Sequence, residues 1–185
     1  LLFLSSLFIL LRFNVETMII AFASIPIIII YPFMKRYTNW PQLILGIAFS
    51  WGVLIVSIQF NSSITFEFFL LYLACVCWTL AYDTIYAYQD REDDIKNNIK
   101  SSAVSLGIMG KKFVKLFYFI FFSIIGYLTW KRSEDFLSLI VIIVIIFVIN
   151  TLINKWDLES KKSSNYYFKF NNIIGLGCFL FLLVF

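Results

Sequence analysis

Three carboxylates near the end of one apolar run carry the first chemical signal in this 185-residue sequence: Asp83, Asp90 and Asp94. Acidic groups at the mouth of a bilayer-length segment are costly to place and mark functional positions. At about 100° per residue the three fall within roughly 40° of one another on a helix. Such a stripe turns hard oxygen donors to one side, as a divalent cation holding a diphosphate requires. Asp90 and Asp94, one turn apart in a D-x-x-x-D pair, can reach one Mg²⁺ directly or through shared phosphate oxygens. Asp83 continues the face deeper, and Ala87 between them leaves room for a ligand, while Glu92 and Asp93 point elsewhere. A solvated acidic loop following a membrane span would also contain D-x-x-x-D; Asp83 in phase with the pair weighs against it.

A second group lies at the end of an earlier apolar run, in Tyr31-Pro32-Phe33-Met34-Lys35-Arg36-Tyr37-Thr38. Tyr31 and Lys35 form a Y-x-x-x-K pair. Lys35 and Arg36 can neutralise a diphosphate, Arg36 in a bidentate manner. The same cations also serve as an ordinary topological anchor with a Tyr at the interface, and both readings stand. Lys96 and Lys100 follow the acidic stripe and either join a phosphate clamp or are plain loop charge. Cations and carboxylates drawn from separate loops to one face suit a site that holds metal and diphosphate together.

The elements that must position these groups are membrane helices. The chain is 61% hydrophobic, 20% aromatic and only 14% charged. A soluble domain of this length cannot hide so much apolar surface, so the class is a polytopic membrane protein. Apolar runs predict spans over about 1–12, 15–33, 42–60, 66–88, 113–130, 135–153 and 172–185. Pro26 bends the second, and Pro32 and Pro41 bracket a loop. With alternating sides, twelve of the fifteen Lys and Arg residues fall in the loops near 34–41, 89–112 and 154–171. The positive-inside rule makes that side cytoplasmic, and it carries nearly every residue able to do chemistry. Lys and Arg sorted in this way act as topological anchors, and no nucleic-acid partner is expected.

Histidine is absent, which excludes His ligands, His bases and Ser–His or Cys–His triads. Cys75, Cys77 and Cys178 lie in apolar runs and read as packing residues. Trp40, Trp51, Trp78, Tyr82, Tyr86 and Tyr88 read as interfacial belt and packing, with some able to line an apolar tunnel that tolerates a carbocation. No internal repeat, low-complexity linker or soluble domain is visible. Leu1 opens inside an apolar run with no Met and no basic leader, so the chain reads as a partial one cut within a helix.

At these residues the sequence resembles the UbiA superfamily of intramembrane aromatic prenyltransferases, and within it the members that prenylate 4-hydroxybenzoate in ubiquinone synthesis. The loop Tyr31 to Thr38, followed by Pro41-Gln42, resembles the family's YPFMKRYT-x-x-PQ passage, continued by Gly46, Phe49, Trp51 and Gly52. Tyr82 to Asp94, with Ile99-Lys100-Ser101-Ser102-Ala103 after it, resembles the second aspartate motif and its tail. Asn171-Asn172 before a Gly-bearing last span also fits. The resemblance implies one all-α domain over residues 1–185: a polytopic transmembrane bundle around a central cavity, with about seven of the family's nine helices present. The family's first aspartate motif, N-D-x-x-D-x-x-x-D, is not in this sequence, which the resemblance reads as N-terminal truncation leaving half of the metal–diphosphate site.

Carried onto matching positions, the resemblance makes Asp90 and Asp94 the metal-binding pair for Mg²⁺. Asp83 becomes a further acidic catalytic position, and Arg36 a basic residue associated with substrate. Tyr31, Lys35 and Lys100 join Arg36 on the diphosphate. It implies ionisation of a polyprenyl diphosphate and attack by the ring of 4-hydroxybenzoate on the allylic cation in a dry cavity. The implied location is the bilayer of a bacterial or mitochondrial inner membrane, with the site toward the cytoplasm or matrix. The residues 1–185 alone are expected to be inactive. A family member with another acceptor (a naphthoate, a haem or a chlorin) remains an alternative. So does an ion-coupled transporter using the three aspartates as a relay, although transporters place such groups near the midplane and show repeats.

Overall fold

The computed structural model describes residues 2–185. Every regular element among them is helical. The helices are α1 (Leu2–Leu10), α2 (Val15–Ala23), α3 (Ile25–Ile30), α4 (Met34–Tyr37), α5 (Pro41–Phe49), α6 (Trp51–Asn61), α7 (Phe66–Lys96), α8 (Ser102–Leu106), α9 (Gly110–Ser133), α10 (Phe136–Lys155) and α11 (Lys161–Val184). Two 3₁₀ turns, Tyr31–Phe33 and Gly107–Met109, link α3 to α4 and α8 to α9. In a bilayer each backbone polar group must be satisfied within its own segment, which leaves helices as the available form for apolar runs of this kind.

Among the described residues six stretches are long and apolar enough to cross a membrane: Val15–Tyr37, Pro41–Asn61, Phe66–Lys96, Ser102–Ser133, Phe136–Lys155 and Lys161–Val184. The first expected span, over 1–12, is not among them: α1 covers Leu2–Leu10, and Leu1 lies outside the described residues. The last expected span, over 172–185, is the inner part of a helix that begins at Lys161. Apolar length measures the bilayer crossing and not the helix. Lys161, Lys162 and Lys169 ride on a polar extension started by Ser160, whose side chain accepts from the Ser163 amide. Likewise the expected loop over 89–112 contains the end of α7, all of α8 and the start of α9.

Pro26 does interrupt its run. It stands in the first turn of α3, where a missing N–H is harmless, and Ser24 marks the break with its Oγ donating to the Ala21 carbonyl at 2.7 Å. The stretch expected as a loop between Pro32 and Pro41 is largely helical, a 3₁₀ turn followed by α4, with extended backbone at Thr38.

The helix α7 is the axis of the bundle, packing against α5, α6, α8, α9 and α11. Small side chains let its neighbours close in. Ala74 and Ala81 are fully buried, and a Cβ on Gly46 of α5 would sit 3.2 Å from the Val76 carbonyl oxygen. Outward-facing Phe60 and Phe147 are 80% and 70% exposed, as surfaces solvated by lipid tails should be. Polar contacts also join the helices: Trp51 Nε1 donates to the Ile20 carbonyl at 2.9 Å, tying α6 to α2.

Candidate functional site

The D-x-x-x-D pair sits on the last three turns of α7, and the three aspartates do share one face. Asp83, Asp90 and Asp94 line a single cleft of about 40 Å³ with Ala87 between them. Tyr31 and Lys35 reach the same cleft from the 3₁₀ turn and α4. Pro41 and Gln42 close it from the start of α5, and Ser101 and Ser102 from the start of α8. Four elements, from two stretches of the sequence about forty residues apart (31–42 and 83–102), therefore meet around the carboxylates.

The helical phase explains the division of labour among the acids. Asp94 is 6% exposed inside the cleft, whereas Glu92 and Asp93 face away and lie open. Lys161 of α11 pairs with Asp93 at 3.0 Å and approaches Glu92 at 4.0 Å. Both pairs are exposed and contribute little to stability.

Of the cations expected at the site, only Lys35 lines the cleft. Arg36 is on the same turn of α4 and exposed, outside the lining. Lys100 donates from Nζ to the Tyr37 carbonyl at 3.4 Å, so it braces the Tyr31–Thr38 loop rather than lining the cleft. Each therefore stands next to the site and not in its wall.

Two features of the wall were not legible beforehand. Gln42 is 1% exposed and donates from Nε2 to Thr84 Oγ1 at 3.3 Å, which locks α5 to α7 beside the aspartates. Ser102 is fully buried, and its hydroxyl has no hydrogen-bond partner among the described residues. Its neighbour Ser101 is occupied, accepting from the Val104 amide at 3.3 Å as the cap of α8. A buried orphan hydroxyl costs free energy unless something else satisfies it. The run Lys100-Ser101-Ser102-Ala103 was visible in the sequence, but which serine caps the helix and which keeps its hydroxyl unpaired at the cleft depends on where α8 begins.

The α8 segment is held by Tyr88. Its hydroxyl donates to the Gly107 carbonyl at 2.5 Å, and its ring stands edge-on to fully buried Trp156 with centroids 5.0 Å apart. Gly107 has φ of 50°, a conformation that favours glycine.

Beside the acidic cleft lies an apolar hollow of about 780 Å³ flanked by α5, α6, α7 and α11. Consecutive residues of α7 divide the two spaces: Tyr82 lines the hollow and Asp83 the cleft. Trp78 forms one wall. It stacks on Phe121 at 5.4 Å, stands edge-on to Tyr82 at 5.9 Å, and abuts Gly175, where a Cβ would lie 2.9 Å from its ring. Asn171 fixes the ring by accepting from Trp78 Nε1 at 3.3 Å and from the Tyr118 hydroxyl at 2.5 Å. Its Nδ2 donates to the Tyr167 and Phe168 carbonyls, so its hydrogen-bonding capacity is used on both ends. The Asn171-Asn172 pair was visible in the sequence; its role as the bracket of Trp78 required the packing of α11 on α7.

The donor set is all oxygen: carboxylates and hydroxyls, with no imidazole in the sequence and the three thiols elsewhere. Oxygen donors of this kind select hard divalent cations. Among the described residues no three acidic or thiol side chains converge closely enough to hold an ion by themselves. Magnesium sites commonly have one or two carboxylates, the remaining positions going to water and phosphate oxygens. The pair Asp90 and Asp94 fits that pattern.

Comparison with known proteins gives the family. A protein-family description, "UbiA prenyltransferase family", matches residues 1–173. Among similar curated proteins, "4-hydroxybenzoate octaprenyltransferase" of Pseudoalteromonas translucida is 34% identical over 94% of this chain and 59% of its own length. The protein of the same name from Blochmanniella pennsylvanica is 36% identical over 92% of this chain and 59% of its own. That from Chromohalobacter salexigens is 48% identical over 51% of this chain and 32% of its own. The chain thus spans at most 59% of the length of these relatives. No solved structure matches it. With the match running through the loop of Tyr31, the aspartate face of α7 and the start of α11, the chain belongs to the UbiA prenyltransferase family.

Proposed function

We propose that the protein carrying this chain transfers a polyprenyl group from its diphosphate to the aromatic ring of 4-hydroxybenzoate. The observation that carries the reading is the junction of two unlike spaces on α7: an oxygen-lined acidic cleft with one lysine, and an apolar, aromatic-walled hollow one residue away. A prenyl diphosphate has the same division. Its diphosphate would lie at Asp90, Asp94 and Lys35, with Tyr31 alongside. Its allylic carbons would lie at the boundary between Asp83 and Tyr82, and its chain in the hollow. The names of the relatives support 4-hydroxybenzoate as acceptor.

Asp90 and Asp94 are the residues that would hold Mg²⁺. Bound there, the cation would neutralise charge on the departing diphosphate. Lys35 adds a fixed positive charge on the phosphate oxygens, and Arg36 and Lys100 supply further charge at the rim. Trp78 and Tyr82 exclude water and turn aromatic surface toward the hollow, which favours a passing cation. The lysine-rich side, with the site, faces the cytoplasm or matrix of an inner membrane. Residues 1–185 form one membrane domain that needs a second acidic cluster from the remainder of the protein, so they are expected to be inactive when expressed alone.

The test uses membranes carrying the full-length protein, supplied with a polyprenyl diphosphate and labelled 4-hydroxybenzoate. Prenylated hydroxybenzoate should form, EDTA should stop it and excess Mg²⁺ should restore it. Absence of product with confirmed insertion, or turnover that survives complete metal removal, would refute the reading.

Ser102 offers a finer check. Its unpartnered hydroxyl is placed to donate to a phosphate oxygen, a charge-assisted bond stronger than a neutral one. Ser102→Ala should weaken binding of the diphosphate substrate by about tenfold, seen as a raised KM. Ser102→Thr should retain most of the affinity.

A further inference from the structure

The helices α9 and α10 form a wedge. They touch directly at Gly126, where an added Cβ would lie 3.0 Å from Ile142 Cγ2. Toward the start of α9 they part around a space of about 580 Å³. Tyr118, Phe122 and Ile149 are its buried floor. Leu116 and Phe119 on α9 face Ile143 and Phe147 on α10 as its exposed walls. From Lys112 to Phe122 the wedge runs about 15 Å along the helix, half of the roughly 30 Å hydrocarbon core and so about one leaflet.

Its open end is basic. Lys112 and Lys115 line it, with no carboxylate among the lining residues. Lys111 Nζ donates to the Asn154 carbonyl at 3.1 Å, and Lys115 Nζ to Asn154 Oδ1, so both ammonium groups are drawn to the last turn of α10. Lys112 has no hydrogen bond or ion pair within the described residues. Lys155 closes the same helix end, so a cluster of lysines sits above an apolar slot one leaflet deep.

We propose that this wedge is a binding site for one anionic phospholipid, its phosphate on Lys112 and Lys115 and one acyl chain between Phe119 and Phe147. Charge complementarity selects the occupant. An anionic headgroup gains from each lysine, whereas a zwitterionic lipid brings a cation to a lysine cluster. The slot shares no lining residue with the acidic cleft or the apolar hollow, so it is a site distinct from both.

The experiment is lipid titration on the purified full-length protein in non-ionic detergent, read by native mass spectrometry as the fraction carrying one lipid. Dioleoyl phosphatidylglycerol should bind about tenfold or more tightly than dioleoyl phosphatidylcholine. Replacing both lysines, Lys112→Gln with Lys115→Gln, should weaken phosphatidylglycerol by about twenty- to thirtyfold, at roughly fivefold per lysine. Lys112→Arg with Lys115→Arg should restore it, and Arg132→Gln at the opposite end should change nothing. Ile143→Trp, which fills the apolar part without altering charge, should also lower affinity. Equal affinity for the two lipids, indifference to removal of the lysines, or indifference to Ile143→Trp would overturn the proposal. So would displacement by free glycerol phosphate at concentrations matching the lipid, which would make the site one for a soluble phosphate.

Discussion

Asp90→Ala and Asp94→Ala are each expected to cut prenyl transfer by about a hundred- to a thousandfold, while Glu92→Ala stays within about twofold of the parent. The first figure is the usual cost of removing one group that stabilises charge developing in a reaction. The contrast rests on the phase of α7. Asp90 and Asp94 line the cleft, whereas Glu92 faces outward, 66% exposed in its side chain and 4.0 Å from Lys161. Four carboxylates within five residues thus divide between two faces by helical direction alone. The measurement is initial rate with saturating substrates in membranes matched for expression. Comparable losses from all three variants would show that total acidity, and not the face, matters. If Asp94→Ala alone were mild, its burial would be structural and Asp90 would act without it.

Gly110→Ala carries the largest expected effect on stability. A Cβ there would overlap the Tyr88 hydroxyl oxygen and stand 2.5 Å from the ring carbon bearing it. The ring cannot retreat easily, because Trp156 stands against it and its hydroxyl is bonded to the Gly107 carbonyl. Overpacking of this kind costs about 1–3 kcal/mol, and loss of the hydroxyl's bond adds about 1 kcal/mol. The variant should melt several degrees below the parent in detergent. Activity should fall with it, because Tyr88 holds the segment from which Ser101 and Ser102 enter the cleft. A double-mutant cycle isolates the cause: in a Tyr88→Ala background the added methyl should be nearly harmless, giving strong non-additivity. Additive losses would place the clash elsewhere.

Most of this was written in the sequence where a single element decides the outcome. The common face of Asp83, Asp90 and Asp94 needs only the helical repeat, and α7 is one unbroken helix through all three. Helical class and approximate spans follow from apolar runs, because the bilayer leaves the backbone few choices. Features set by two or more elements were not legible. The long polar start of α11 carries charges that hydropathy assigns to a loop. Lys100 was expected at the diphosphate, yet its position follows from where α7 ends and how the chain returns to Tyr37. The bracket of Asn171 on Trp78 and Tyr118 joins residues 93 and 53 positions apart, and no local pattern encodes it. Ser102 looked equivalent to Ser101 until the cap of α8 chose between them.

The continuity of α7 has a consequence for how such a protein can change over generations. Tyr82 faces the hollow, while Asp83 and the D-x-x-x-D pair face the cleft, and all are carried on one rigid rod without a break. One residue gained or lost between Asp83 and Asp90 would turn everything beyond it by about 100°, swinging the pair off the cleft while Asp83 stayed. Point replacements along the rod can be absorbed one at a time; insertions and deletions cannot. Length variation among descendants should therefore collect in the connections, such as the turn around Ser62 or the stretch from Asn97 to Ser101, and leave the interval from Tyr82 to Asp94 constant in length even where its letters drift.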